Sequence, residues 1–381
     1  IYPLAVPLLY KWLEAHSWIL KLALCNIIYP LAVPLLYLCL YSNIMEKTRE
    51  SYQTSGKEEK MAGNDHCQEL IIQNLPKERN WDGRYLHLYQ GFWYPSLVIG
   101  SMISFQRHFQ ARDTDVILVT VPKSGSTWLQ ALAFSIANRT RYALCESPLL
   151  TVNPHDLVRF LELDIYLKNP SPNHLEAIPS PRIFITHAPY TALPPSIVES
   201  KCRIVYLCRN PLDHLISYWH FASKILTETQ APVSLDLLVD MFCLGLSGYS
   251  PFWDHVLGYW RASQDKVLFL KYEDMKEDII LHLKTLADFM GFPFSMDEER
   301  QGVIQEISSL CSFDNMKDLE VNKTGKAPLG LQYDAFFRKG QVGDWANYLT
   351  PSMAERMKKI VEEKLDGSGL TFNFSAPSTL I

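Results

Sequence analysis

Val116-Ile117-Leu118-Val119-Thr120-Val121-Pro122-Lys123-Ser124-Gly125-Ser126-Thr127-Trp128 decides the fold. Its first six residues are an apolar, β-branched run without polar alternation, the pattern of a strand buried on both faces. The turn then supplies a lysine, a glycine that lets a ligand approach the backbone, and two hydroxyls at the start of a helical pattern. A helix N-terminus offers unpaired N–H groups and the positive end of a dipole, so the turn can cradle an anion. The same residues also suit a plain strand–turn–helix junction, with Gly for the turn and Ser/Thr as caps. Both readings stand on this stretch alone. It is not a Walker A loop, because Lys123 precedes Gly125 and no Gly-Lys-Ser/Thr closes it. A nucleotide triphosphatase or P-loop-type kinase, dependent on ATP and Mg²⁺, is thereby disfavoured.

Three further apolar runs end as abruptly: Ile183 to Thr186, Arg203 to Cys208 and Val267 to Tyr272. Helical patterns intervene at Thr127 to Asn138, Asp213 to Lys224, Phe252 to Ser263 and Glu277 to Met290, each long enough to cross over between parallel strands. The expected fold class is α/β, a single domain whose central parallel sheet is flanked by helices. In such sheets ligands bind beyond the carboxyl ends of the strands, which selects Lys123 to Thr127, His187, Arg209-Asn210 and Tyr272-Glu273. Five other histidines, His155, His174, His214, His220 and His255, read as packing or surface residues.

With 381 residues, 48% hydrophobic and 20% charged, the chain can bury a large core. A net charge of −5 gives no overall field for nucleic acid or an anionic membrane. Eight scattered cysteines without a CxxC pair imply reduced thiols in the cytoplasm, and neither their spacing nor any acidic cluster suits a metal. Leu22 to Tyr41 has the length of a membrane span, but Asn26, Pro30 and Pro34 interrupt it. The decapeptide Ile1 to Tyr10 recurs word for word at Ile28 to Tyr37. Residues 1–44 are therefore read as an apolar extension outside the functional protein, 45–81 as a flexible polar lead-in, and 82–381 as the catalytic domain. Three glycosylation sequons, at Asn138, Asn322 and Asn373, are short enough to arise by chance.

Three ordered motifs carry a family resemblance: Pro122 to Trp128; Arg209-Asn210-Pro211 with Ser217 to Phe221; and Arg338-Lys339-Gly340 with Gly343-Asp344-Trp345. From about Trp81 onward the chain resembles the cytosolic sulfotransferases, enzymes that use 3′-phosphoadenosine 5′-phosphosulfate (PAPS). Leu207 to Pro211, Cys311 to Phe313 and Val321 to Gly325 resemble the plant branch. The resemblance implies a P-loop-like sulfotransferase fold with a five-stranded parallel core. It implies that Lys123, Ser124, Gly125, Ser126, Thr127 and Trp128 hold the 5′-phosphosulfate end of PAPS. Arg209, Ser217, Arg338, Lys339 and Gly340 would take the 3′-phosphate, and Trp128, Tyr272, Cys311, Ser312, Phe313, Met316 and Phe337 would surround the adenosine. His187 stands at the family's general base, a role suited to a neutral imidazole. Ile185 replaces the lysine frequent in animal members.

The reaction expected from these positions is in-line displacement, with His187 activating a hydroxyl and Lys123 stabilising charge on the bridging oxygen, without a metal. The acceptor is expected to be a small hydrophobic phenol or alcohol, the plant likeness pointing to flavonoids, steroids, hydroxyjasmonate or desulfoglucosinolates. Its pocket is expected around Phe92 to Tyr94, His155 to Tyr166 and Leu244 to Pro251. Near Ala346, Thr350, Pro351 and Glu355 the family's dimer motif is half replaced, so a monomer or weak dimer is expected. A membrane-anchored luminal sulfotransferase is the alternative if residues 1–44 and the sequons are taken at face value.

Overall fold

The computed structural model describes residues 68–225, 232–263, 266–327 and 330–374. The apolar N-terminal run and its repeat lie outside them. Four strands form a parallel sheet: β4 (Val116–Thr120), β5 (Ile183–Thr186), β6 (Arg203–Cys208) and β7 (Val267–Lys271), in the order β5-β4-β6-β7. All five residues of β4 are buried, as its unbroken apolar run requires. The register pairs Val119 with Thr186 and Thr120 with Leu207, so the carboxyl ends of the strands finish level and their loops share one edge.

The resemblance implies five strands. Among the described residues, the sheet continues beyond β5 only through one parallel bridge, Phe160 to Ile185. The chain turns away at once into a π-helical turn, Leu161–Ile165, which leaves no length for a fifth ladder.

Helices cover the sheet: α1 (Ile99–His108), α2 (Ser126–Asn138), α3 (Pro211–Ile225), α4 (Phe252–Ala262), α5 (Tyr272–Glu277), α6 (Ile279–Met290), α7 (Phe313–Asp318) and α8 (Pro351–Leu365). Leu129, Leu132, Ile136, Leu283, Leu286 and Met290 from α2 and α6 pack with Leu118, Val205 and Leu270 of the strands in one core. The helix expected from Glu277 to Met290 is α6, which starts two residues later. Asp278 accepts a bond from Leu281 N and caps α6 anew, while α5 starts directly from β7. At the far end of the sheet, Arg182 and Asp115 form a buried, forked ion pair, with Nε donating to Oδ1 at 2.9 Å and a terminal nitrogen to Oδ2 at 2.5 Å.

A three-stranded antiparallel sheet, β1 (Lys77–Arg79), β2 (Tyr85–Tyr89) and β3 (Phe92–Pro95), is absent from the sequence reading. Residues 68–74 are helical, Gln68 Nε2 donates to Gly100 O at 2.8 Å, and Leu75 is buried. Residues 68–81, assigned above to a flexible lead-in, are thus built into the fold. In the half-replaced dimer segment, Thr350 caps α8 and Pro351 occupies its first turn.

Candidate active site

The four strand ends open into a cleft of about 1080 Å³. Lys123, Gly125, Ser126, Thr127 and Trp128 follow β4, His187 follows β5, Arg209 follows β6 and Tyr272 follows β7, and all line it. So do Ser217, Cys311, Ser312, Phe313, Met316, Phe337, Arg338, Lys339 and Gly340. Ser124, Asn210 and Glu273 do not; the buried hydroxyl of Ser124 has no hydrogen-bond partner.

The turn after β4 is shaped by two left-handed residues, Lys123 at φ +70° and Gly125 at φ +109°. A side chain at Gly125 would meet Tyr272 at 3.0 Å and Leu207 at 3.1 Å, so only glycine fits. For Lys123, a non-glycine residue, that conformation costs roughly 1–2 kcal/mol, strain of a kind that clusters at ligand clamps. Gly125 caps α2 without a side-chain bond, and no acidic residue occupies the first turn, which leaves that helix terminus open to an anion. The Lys123 Nζ lies over the rings of Phe221 at 4.1 Å and Phe336 at 5.3 Å. Burial, with Arg209, Lys224 and Arg338 nearby, brings its pKa down to about 7.

His187 is placed by the register that sets it beside Thr120. Its Nδ1 donates to Thr120 O at 2.7 Å, and since a carbonyl can only accept, the proton is on Nδ1 and Nε2 carries the free lone pair. The ring packs against Phe160 at 4.7 Å and Tyr249 at 5.3 Å. Burial first, then His255 and Lys123, lower its pKa to about 3 against the opposing Thr120 bond, so it is neutral at physiological pH. His255 donates from Nε2 to His187 O at 2.9 Å and accepts from Tyr206 at Nδ1, a support role consistent with its reading as a packing residue.

Arg209 is 6% exposed. A terminal nitrogen donates to Gln341 O at 2.7 Å, and its Cζ lies 4.6 Å from the Tyr272 ring centre. Its Nε is buried without a partner, an unsatisfied donor of the kind an anionic ligand removes. Arg338 and Lys339 both pair with Asp344, whose carboxyl they hold down at about 2 against the effect of burial. That loop is anchored by Asp213 of α3, which accepts from Gly343 N at 2.6 Å and Trp345 N at 3.0 Å. Gly340 sits at φ +63° under Phe313, where an added Cβ would lie 2.6 Å from the ring. Trp128 meets Tyr272 edge-on at 5.3 Å, and Phe313 faces Phe337 at 6.2 Å. Ser312 caps α7, while Cys311 is buried against Ser135.

Two expectations change. His155 is not a packing residue outside the site: it lines the cleft, stacks on Phe336 at 4.2 Å and bonds Thr127 Oγ1 through Nε2 at 2.9 Å. Phe92 and Tyr94 do not line the cleft, because the alternation of β3 turns both rings into the core. Phe160, Leu163 and Tyr249, from two segments expected at the acceptor, form the apolar end with Trp81, Tyr85 and Pro95 to Val98. His155 opens a segment expected at the acceptor pocket, but its contacts at the donor turn depend on the Phe336 loop folding back from far along the chain.

Lys123 in a left-handed turn at a helix N-terminus, the cations Arg209, Arg338 and Lys339, and a neutral His187 all face one cleft, an arrangement suited to group transfer from an anionic donor. The Sulfotransferase domain model matches residues 113–369, and the chain belongs to the sulfotransferase family. It is 49% identical over 312 residues to Cytosolic sulfotransferase 15 of Arabidopsis thaliana, covering 80% of this chain and 87% of that protein. Cytosolic sulfotransferase 14 of the same plant is also 49% identical, over 80% and 90%. Among solved structures, an Arabidopsis thaliana sulphotransferase superposes with a TM-score of 0.64 at 37% identity, over 80% of this chain and 94% of that one. Mouse sulfotransferase SULT7A1 complexed with PAP gives 0.58 at 28%, over 74% and 95%.

Proposed function

We propose that this chain transfers a sulfuryl group from PAPS to the hydroxyl of a small hydrophobic acceptor, with His187 as general base. The observation that carries this reading is the His187–Thr120 bond, which fixes the tautomer whose basic nitrogen, Nε2, is free to accept a proton. The unpartnered Arg209 Nε and the glycine-only backbone at Gly125 and Gly340 support a phosphate at either end of the cleft. PAP, the desulfated donor, occupies the mouse relative.

In this reading Lys123, the α2 N-terminus and Thr127 hold the 5′-phosphosulfate. Arg209, Ser217 and Arg338 to Gly340 hold the 3′-phosphate, and Trp128, Tyr272, Phe313 and Phe337 enclose the adenine. His187 takes the hydroxyl proton at Nε2 while the oxygen attacks sulfur and the sulfur–phosphate-oxygen bond breaks. Lys123 stabilises the charge left on the phosphate oxygen. The apolar end of the cleft, with Trp81, Leu97, Phe160 and Leu163, suits a flat or alicyclic acceptor.

We further assign the protein to the cytoplasm as a monomer or weak dimer. The relatives are named cytosolic, the five described cysteines are unpaired, and no described helix is long and apolar enough to cross a membrane. Asn322, the centre of one sequon, is buried and bonded to Asn153 and Met316 O, which speaks against a glycosylated luminal form. A panel of phenols and alcohols incubated with labelled PAPS tests the activity. Transfer to at least one is expected, and none with PAP binding intact would refute it.

A further inference from the structure

One carboxylate beside the base has no part in the mechanism above. Glu162, in the π-helical turn Leu161–Ile165, is fully buried, and π-helical turns are frequent at functional sites. Its Oε1 accepts from the backbone N–H of His187 at 2.8 Å and from the Tyr249 hydroxyl at 3.2 Å. Its Oε2 accepts from the Thr186 hydroxyl at 2.7 Å, whose own oxygen already receives Ala188 N–H at 3.0 Å. Both oxygens act only as acceptors, as an ionised carboxylate does, and all three donors are neutral. Burying a charge without a cation is costly. Burial outweighs the same hydrogen bonds and raises its pKa above the usual carboxylate value.

A cation does form beside it in each turnover, when His187 becomes an imidazolium. The other groups facing His187 do not balance that charge. Lys123 and His255 oppose it, Phe160 and Tyr249 flank the ring, and Thr120 O takes the Nδ1 proton.

Building on the assignment of His187 as general base, we propose that Glu162 is a positioning residue for it. Glu162 fixes His187 through the backbone N–H, and its charge offsets the imidazolium that forms when Nε2 takes the acceptor proton. The proton moves from acceptor oxygen to Nε2 and then to solvent after product leaves, and Glu162 does not exchange it.

Glu162→Gln tests this with little rearrangement. The amide oxygen can replace Oε1, and the amide nitrogen can donate to Thr186 once that hydroxyl rotates, so the contacts persist while the charge is removed. The expected result is a kcat lowered about ten- to a hundredfold. KM values and PAP affinity should stay within about twofold, a loss confined to kcat that a general weakening of the site's packing would not give. In a His187→Ala background the Gln substitution should change nothing further. A kcat within twofold of the unsubstituted enzyme, or a PAP affinity that falls in step with kcat, would overturn the proposal. If Glu162→Gln does not fold, Glu162→Asp carries the test: the shorter side chain draws the carboxylate back from the His187 N–H, so kcat should fall with KM and PAP affinity within about twofold, and an unchanged kcat would overturn the proposal. Should His187→Ala itself turn over normally, the general-base assignment fails and Glu162 with it; an inactive His187→Ala beside a normal Glu162→Gln sinks only the role of Glu162.

Discussion

Replacing Arg209 with alanine separates the two ends of the donor site. In the free protein the guanidinium makes one bond to Gln341 O and lies over the Tyr272 ring, contacts that together contribute about 1–2 kcal/mol. Because Nε is already buried without a partner, removing the side chain also relieves an unsatisfied donor, so the loss of fold stability should be small. With a 3′-phosphate present the guanidinium would make charge-assisted bonds of about 1.5–3 kcal/mol each. Two of them at the lower end amount to about 3 kcal/mol, or roughly a hundredfold in affinity. Calorimetric titration with PAP and with AMP, which lacks the 3′-phosphate, closes a cycle between residue and ligand group. Arg209→Ala should weaken PAP by about a hundredfold and leave AMP almost unchanged. Equal weakening of both ligands, or a PAP effect below about fivefold, would refute the placement of Arg209 at the 3′-phosphate.

Gly340→Ala puts a Cβ 2.6 Å from the Phe313 ring at φ +63°, so the loop and the aromatic wall must both move; PAP affinity should fall about tenfold or more, read by the same titration. Lys123, with its pKa brought down to about 7, is charged below that pH and loses its proton above it. PAP affinity should therefore weaken as pH rises from 7 to 9, and a Lys123→Met variant, weaker throughout, should lose that part of the pH dependence. The lowered pKa also means that the unfolded chain binds the extra proton between pH 7 and the ordinary lysine range of about 10.4, so this group adds stability as pH rises through that window. Urea denaturation at pH 7 and 9 should show the increment in the unsubstituted protein and not in Lys123→Met.

The parallel sheet was legible because β4, β5 and β6 are buried on both faces, and only unbroken apolar runs satisfy that environment. The cleft followed from where those runs stop, since Lys123, His187, Arg209 and Tyr272 each stand just past a strand. The small antiparallel sheet was not legible: β1 is three charged, exposed residues, and its pairing with β2 depends on tertiary contact. Phe92 and Tyr94 were placed at the acceptor because aromatic density does not say which way a ring faces until the register of β3 is known. The helix from Glu277 to Met290 was legible to within two residues of its cap at Asp278, while the short α5 before it was not, because Tyr272 to Glu277 reads as a strand end followed by charges. Glu162 and His155 lie in a segment expected at the acceptor pocket, but their individual contacts were not legible, since each is set against a strand end or loop by a distant part of the chain.

The central claim is that His187 takes the proton from the acceptor, and its most direct test is His187→Ala with labelled PAPS and an acceptor from the active panel. Single-turnover transfer should fall by about a hundredfold or more, while PAP affinity stays within about twofold, since the donor is held by groups on the other strand ends. Near-normal transfer in that variant would contradict the account.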